Sequence, residues 1–183
     1  MKAAIIYSGK YGSTRQYAEW LREETGIPVY NSLSEIPELP DLDFLILGSS
    51  IIVGTPTLKK WLFRHWGTIC DKPTLLFTVS GTAPGHPDLV SWLNTHLSPE
   101  MLAQFKYVPL RGRLDVKALP WWVRTMLKLA ARMMKDPEAA RRMTKGFDYM
   151  DRDSLKSILA WIAARRGPAR PVRPERKLEP VEA

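Results

Sequence analysis

With 183 residues, 45% of them hydrophobic, the chain can bury one core but is short for two. Its formal net charge of +8 points to anionic partners such as lipid head groups, nucleic acid or acidic small molecules. A lone cysteine, Cys70, excludes an internal disulfide and a cysteine-based metal site. Without a signal peptide or an apolar run of roughly 20 residues, we expect a cytoplasmic protein that attaches at most to a membrane surface.

Short apolar runs rich in β-branched residues alternate with longer segments of helical periodicity, as in a parallel sheet covered by helices on both faces. Strands are predicted at 2–7, 28–30, 44–47, 74–79 and 106–110. Helices are predicted at 13–25, 57–65, 87–95 and 151–164, and Gly26 is suited to end the first of them. Crossovers of this length predict a doubly wound α/β sheet of five parallel strands in the order 2-1-3-4-5.

Two segments do not follow this alternation. Residues 115–146 lie between the fifth strand and the last helix, and their composition predicts an inserted helical segment. Residues 166–183 contain four prolines among mostly charged side chains, which predicts a disordered tail. We therefore expect one domain over 1–165 that carries the insertion.

The turn after the first strand has the clearest ligand-binding pattern in the chain, Ser8-Gly9-Lys10-Tyr11-Gly12-Ser13-Thr14. A turn of this kind presents backbone N–H groups and the positive end of a helix dipole to an anion, so we expect a phosphate there. Its two glycines allow a tight turn and its three hydroxyl groups add donors. The alternative is that one hydroxyl residue merely caps the helix. The turn lies where the strand order reverses, and ligands of open α/β sheets bind at that point.

Two more loops reach the same edge of the predicted sheet. The third strand is followed by Gly48-Ser49-Ser50-Ile51-Ile52-Val53-Gly54-Thr55-Pro56. The fourth is followed by Ser80-Gly81-Thr82-Ala83-Pro84-Gly85. Both loops are small and rich in backbone donors, which suits a flat ring with polar edges held between them, although plain connections share this composition.

The turn at 8–14, the Gly48-Ser49-Ser50 segment, and Gly112-Arg113-Leu114 before an aromatic, basic helix together resemble flavodoxin-domain proteins. The likeness extends to about Ala164 and is greatest to the menaquinone-dependent protoporphyrinogen IX dehydrogenases of bacteria. This resemblance implies a flavodoxin-like fold and the cofactor FMN. The residues it implies for FMN are Ser8, Gly9, Lys10, Tyr11, Gly12, Ser13, Thr14, Ser49, Ser50, Ile51, Ile52, Val53, Gly54, Ser80, Gly81, Thr82 and Gly85.

The resemblance also implies an activity in heme biosynthesis. The flavoprotein would oxidise protoporphyrinogen IX to protoporphyrin IX and pass the electrons to a quinone at the inner face of the cell membrane. Two other functions stay open: an electron carrier of the flavodoxin type, and a flavodoxin-fold module that no longer binds FMN. Carriers tend to be acidic and compact, unlike this chain.

The second loop departs from the pattern of that family. Ile52 and Val53 stand where its members commonly carry polar and aromatic residues, so the usual aromatic cover over the flavin is missing. This aliphatic pair is the main support for a module that has lost FMN. Trp121 or Trp122, from the insertion, is a candidate replacement for the missing aromatic residue.

The positive charge is concentrated around the insertion, because residues 111–146 hold ten Lys and Arg against three Asp and Glu. Residues 121–134 form a predicted amphipathic helix whose cations recur every four residues, at Arg124, Lys128 and Arg132. With Trp121 and Trp122 at one end, the pattern is typical of a helix in an anionic lipid interface. The alternatives are packing on the domain or on a second copy of the chain. Nucleic acid is not expected, since no nucleic-acid fold signature is present.

Few residues have a pattern that predicts catalysis. His65, His86 and His96 lie on different predicted elements and lack metal-ligand spacing, so no metal site is expected. His86 is a candidate because it follows the loop after the fourth strand, and the alternative is an ordinary histidine at a helix start. Arg113, together with Arg111, is a candidate partner for the propionates of a porphyrin, and the alternative is a pair of solvated charges.

Overall fold

The computed structural model describes residues 1–34, 36–133 and 137–166 of the chain. Its strands are β1 (Ala3–Ser8), β2 (Val29–Asn31), β3 (Phe44–Ile52), β4 (Thr55–Pro56), β5 (Thr74–Ser80), β6 (Phe105–Arg111), β7 (Arg113–Leu114) and β8 (Phe147–Asp148). Its α-helices are α1 (Ser13–Thr25), α2 (Lys59–Ile69), α3 (Pro87–His96), α4 (Pro99–Gln104), α5 (Trp121–Met133), α6 (Pro137–Lys145) and α7 (Lys156–Arg166). Short 3₁₀ turns at Leu39–Asp41 and Arg152–Leu155 precede β3 and α7.

The main sheet has the predicted topology. Its parallel strands lie in the order β2-β1-β3-β5-β6, which is the order 2-1-3-4-5 when only these five strands are counted. In register, Ile5 pairs with Val29 on one side and with Ile46 on the other. The predicted α/β fold with a flavodoxin-like strand order is therefore confirmed.

Apolar side chains cover both faces of this sheet, because successive strand residues point to opposite sides. Ile6 belongs to a cluster that packs with Leu62 of α2 and Leu93 of α3. Its neighbour Ile5 belongs to the other cluster, which includes Tyr17 of α1. The packed sheet holds the carboxyl ends of β1, β3 and β5 side by side.

Helix α1 has the bounds that the sequence predicts. Gly26 follows it with a φ of +68°, and its N–H donates to the Arg22 carbonyl. A residue with a Cβ is disfavoured at this φ, so glycine is suited to end the helix.

The third strand is longer than predicted, which corrects the interpretation of the second loop. Gly48, Ser49 and Ser50 are strand residues, because they continue to pair with β1 or β5. A two-residue turn of Val53 and Gly54 then leads into β4, with φ values of +49° and +72°. Positive φ at both positions suits a tight hairpin, but it is strained for a β-branched residue such as Val53.

The insertion forms two helices, α5 and α6, which pack against each other. The antiparallel pair β7–β8 at its base and the short helix α4 were not predicted. Helix α7 continues through Arg166, so the predicted tail boundary falls one residue inside the helix, and residues 167–183 lie outside the described part of the chain. None of the described helices combines the length and hydropathy that crossing a bilayer requires.

Candidate functional site

The turn between β1 and α1 leaves a row of backbone donors without internal partners. Within the described residues, the N–H groups of residues 10–15 donate no hydrogen bond, and the first helical bond runs from the Gln16 N–H to the Gly12 carbonyl. Gly12 precedes the helix with a φ of +88° and provides no side-chain cap. These donors and the positive end of the α1 dipole form an anion-binding site.

Gly9 makes the closest contacts in this turn. A Cβ at this position would lie 2.8 Å from Thr14 Oγ1 and 2.9 Å from Ser50 Oγ. Those two hydroxyl groups are 2.6 Å apart and hydrogen-bonded to each other, and they join α1 to β3 beneath the turn. The backbone at Gly9 therefore packs directly against these two hydroxyl groups. Only glycine can occupy this position, because any side chain would overlap them.

The hydroxyl groups of Ser13 and Tyr17 on α1 bind the chain on either side of the insertion. Ser13 Oγ accepts from the Arg113 N–H at 3.0 Å and donates to the Arg113 carbonyl at 3.1 Å. Tyr17 Oη donates to the Arg111 carbonyl at 2.7 Å and accepts from the Asp151 N–H at 3.1 Å. Ser13 therefore offers a ligand its backbone N–H, while its hydroxyl group holds the insertion.

Ser49, which was predicted in the second loop and lies in β3, faces the interior. Its side chain is fully buried, and Ser49 Oγ accepts from the Leu58 N–H at 3.1 Å. The neighbouring Thr57 Oγ1 donates to the Ser8 carbonyl at 2.8 Å. These hydroxyl groups fix the second loop to the end of β1.

The outer part of the second loop lies against α3. Ile51 and Ile52 are half-buried, whereas Val53 is 98% exposed at the tip of the hairpin. A Cβ on Gly54 would lie 3.1 Å from the Trp92 indole ring. An aromatic residue of α3 therefore supports this hairpin, although the loop itself has none.

The third loop contacts the chain on both sides of the insertion. Ser80 Oγ accepts from the Thr82 N–H at 3.2 Å, and the Ser80 carbonyl accepts from the Gly112 N–H at 2.7 Å. Gly81 packs against the ring of Phe147, whose Cζ would lie 2.5 Å from a Cβ at that position. The third loop is therefore in direct contact with β8.

His86 stands after Gly85, which has a φ of +87°, and is the N-cap of α3. Its Nδ1 accepts from the Asp88 N–H at 3.2 Å, and the side chain is exposed. This geometry is that of a histidine at a helix start, the alternative to a catalytic role.

The other histidines lie away from the turn at 8–14. His96 bridges Thr55 and Lys59, with Nε2 3.2 Å from Thr55 Oγ1 and Nδ1 3.4 Å from Lys59 Nζ. Burial, with a smaller contribution from Arg64, lowers the pKa of His65. Over the described ranges, no three His, Cys, Asp or Glu side chains are grouped to hold a metal.

The antiparallel pair β7–β8 forms the base of the insertion, and we call it the stem. Arg113 pairs with Asp148, and Leu114 pairs with Phe147. Arg113 Nη1 is 3.7 Å from Asp148 Oδ2, and both side chains are about half exposed, so this ion pair adds little stability.

Phe147 of the stem stacks on Tyr149, and Tyr149 in turn lies against Arg111. The rings of Phe147 and Tyr149 are stacked with centroids 5.1 Å apart. The Arg111 guanidinium lies 3.5 Å from the Tyr149 ring centroid. Arg111 Nε is buried and has no hydrogen-bond partner in the described part of the chain.

A cleft of about 470 Å³ separates the turn at 8–14 from the stem; its lining is Tyr11, Arg113, Leu114, Asp115, Ala118, Phe147 and Asp148. This volume lies in the range of small-molecule sites. Trp121 and Trp122, predicted as candidate flavin covers, are 76% and 50% exposed and do not line it. Phe147, another residue of the lining, was not predicted, although an aromatic Phe-x-Tyr pair directly after Gly146 is a detectable signal.

The flavodoxin-domain family model matches residues 4–141 of the chain. Similar solved structures include the Trp repressor binding protein of Bacillus subtilis, with 17% identity, a TM-score of 0.47, and coverage of 82% of this chain and 100% of that one. A flavoprotein of Lactobacillus acidophilus in complex with FMN has 14% identity, a TM-score of 0.45, and coverage of 60% and 91%. No curated protein matches at the sequence level. On the match over most of its length, this chain belongs to the flavodoxin-domain family.

Proposed function

We propose that this protein is an FMN-dependent oxidoreductase that acts at a membrane surface. The observation that carries the proposal is the row of N–H groups at residues 10–15, which have no partner among the described residues and lie next to the close-packed Gly9. The flavodoxin-domain match and the sequence resemblance both favour FMN as the cofactor. The N–H groups and the α1 dipole would hold its phosphate.

The residues around the turn fit this cofactor. Gly9 lets the turn lie directly on the Thr14 and Ser50 hydroxyl groups, and Gly12 leaves the helix N-terminus without a side-chain cap. When bound, FMN supplies electron-transfer chemistry that no side chain provides. The turn at 8–14 would bind the phosphate, and the second and third loops would hold the ring.

The proposed substrate is protoporphyrinogen IX, with a quinone as electron acceptor. Support comes from the resemblance and from two arginines, of which Arg113 lines the cleft. Arg113 is about half exposed, and Arg111 has a buried Nε without a partner in the described residues. Arginine binds carboxylates through paired N–H donors, and porphyrin propionates are carboxylates.

This function is tested on purified protein loaded with FMN. We expect FMN to bind at least about tenfold more tightly than riboflavin, which lacks the phosphate. The loaded protein should then oxidise protoporphyrinogen IX anaerobically when a menaquinone analogue is present, measured as porphyrin fluorescence. Equal affinity for both flavins would contradict the phosphate site. Tight FMN binding without porphyrin formation would contradict only the substrate.

The membrane part of the proposal rests on α5, which has three distinct faces. Val123, Leu127 and Ala131 lie on one side and are at least partly buried. A second stripe is apolar yet at least 50% exposed, and comprises Trp122, Met126, Leu129 and Met133. The cations form the third face and are all exposed, at Arg124, Lys128 and Arg132.

This arrangement supports contact with an anionic bilayer. Among the described elements, α5 makes its extensive contacts with α6, and the exposed apolar stripe is left over after that packing. Apolar side chains next to cations allow a helix to enter the acyl boundary while its charges meet head groups. Each cation near such a surface contributes about 1 kcal/mol.

The double variant Met126→Glu, Leu129→Glu is expected to lose at least about 90% of binding to vesicles of phosphatidylglycerol and phosphatidylcholine, because it places carboxylates in the apolar stripe. Flotation measures this binding. Leu33→Glu, Phe63→Glu is the control, since both residues are exposed apolar side chains elsewhere and the charge change is the same. Unchanged flotation of the α5 variant would contradict the proposal. A wild-type dimer that the α5 variant converts to a monomer would instead assign the stripe to a second copy.

A further inference from the structure

We infer that the stem of the insertion supplies an aromatic wall for the flavin ring, and that Phe147 is the residue in contact. The inference rests on the proposed FMN site and names a positioning residue for it. Phe147 would take the place of the aromatic residue that the second loop lacks, since that loop has Ile52 and Val53 instead.

The stem leaves the sheet between the turn at 8–14 and the third loop. Gly112 is packed closely between β5 and α1. A Cβ at this position would lie 2.9 Å from Val79 Cγ1 and 3.5 Å from Ser13 Cβ. Its N–H donates to the Ser80 carbonyl, and the next residue, Arg113, is bound to Ser13. The stem is therefore bound to the turn at 8–14 on one side and to the third loop on the other.

Phe147 occupies the junction between these parts. Its ring contacts Gly81 at the start of the third loop, and it lines the cleft together with Tyr11 of the turn. One side of the ring is stacked on Tyr149, and Phe147 stays only half-buried. A planar group that extends from a phosphate at residues 10–15 towards Gly81 would meet the ring of Phe147.

The competing explanation is that Phe147 only anchors the stem on Gly81. Tyr149 provides the comparison, because it belongs to the same stack and lies beneath Arg111 but does not line the cleft. If the stack serves only to hold the stem, loss of either ring should have the same effect. If Phe147 contacts the flavin, its loss should change properties of the bound flavin that loss of Tyr149 leaves alone.

The test compares Phe147→Leu, Phe147→Tyr and the control Tyr149→Leu by flavin titration. We expect Phe147→Leu to weaken FMN and riboflavin alike by about tenfold, since aromatic stacking acts on the ring and not on the phosphate. Its ratio of FMN to riboflavin affinity should stay at the wild-type value, and quenching of flavin fluorescence should diminish. Tyr149→Leu should retain wild-type affinity within about twofold.

Phe147→Tyr is the second variant, because it retains the aromatic ring and is expected to fold even if Phe147→Leu does not. It should bind FMN with nearly wild-type affinity and shift the visible circular dichroism of the bound flavin. Wild-type affinity and quenching in Phe147→Leu, a wild-type dichroism spectrum in Phe147→Tyr, or equal losses in Phe147→Leu and Tyr149→Leu would each overturn the inference. A wild-type protein that binds no flavin would overturn the proposed function itself.

Discussion

Gly12→Asp is expected to weaken FMN binding about 100-fold, close to 2.7 kcal/mol, while Gly12→Asn weakens it far less. Gly12 has a φ of +88°, and a Cβ there would meet no atom within 4 Å. Both variants therefore fit sterically, and both residue types tolerate a left-handed backbone better than most. They differ in charge. A carboxylate at the start of α1 would cap the N–H groups that the phosphate needs and would repel the phosphate itself.

Fluorescence titration with FMN and with riboflavin measures this effect. Riboflavin should bind both variants equally, because it brings no phosphate to the turn. The unliganded Asp variant should unfold at a temperature no lower than that of the Asn variant, since acidic residues stabilise helix N-termini. Equal loss of FMN affinity in the two variants would show that charge at the turn does not govern binding and would place the phosphate elsewhere.

The turn at 8–14 could be predicted because everything that defines it is contiguous in sequence. A strand, two glycines and a helix start lie within a few residues, and the resulting N–H donors belong to the backbone. The role of the Ser13 hydroxyl group is different, because its partner Arg113 is 100 positions away. Local patterns do not contain this information, so the Ser13 hydroxyl group, predicted as a phosphate donor, instead holds the insertion.

The prediction that Gly48, Ser49 and Ser50 belong to a loop was wrong for a related reason. Gly48 has a low intrinsic preference for strands, and in composition Gly48, Ser49 and Ser50 together resemble a loop. In the fold they lie between β1 and β5, and pairing with these neighbours extends β3 through them. Tertiary pairing thus overrides local preference, as it commonly does in central strands.

Amphipathic patterning left the packing of the insertion helix open, and the structure shows why. The apolar residues of α5 divide into a buried stripe and an exposed stripe, and one helix therefore has both a packed side and an uncovered one. The sequence pattern distinguishes apolar from basic residues, but it does not distinguish buried apolar residues from exposed ones. The Phe-x-Tyr pattern marks Phe147 in the sequence, but its contact with Gly81 depends on how the chain returns across the sheet edge.

Gly146→Ala is expected to open the stem and weaken FMN binding by about tenfold, roughly 1.4 kcal/mol. Gly146 precedes β8 with a φ of +84°, and a Cβ there would overlap the Leu114 carbonyl oxygen of β7. That oxygen belongs to the backbone and cannot swing away, so the two strands must separate. Phe147, the next residue, would then move from Gly81.

Gly26→Ala is the matched control. Gly26 has a φ of +68° and open space around a Cβ, so its variant carries the backbone strain without the clash. Both variants should lower the free energy of unfolding by about 1 kcal/mol through strain alone. Only Gly146→Ala should lose FMN affinity and become more sensitive to limited proteolysis within residues 115–146. Because both variants carry the backbone strain, the difference in their FMN affinities measures how much a closed stem contributes to FMN binding. Equal FMN affinities would mean that the closed stem contributes nothing.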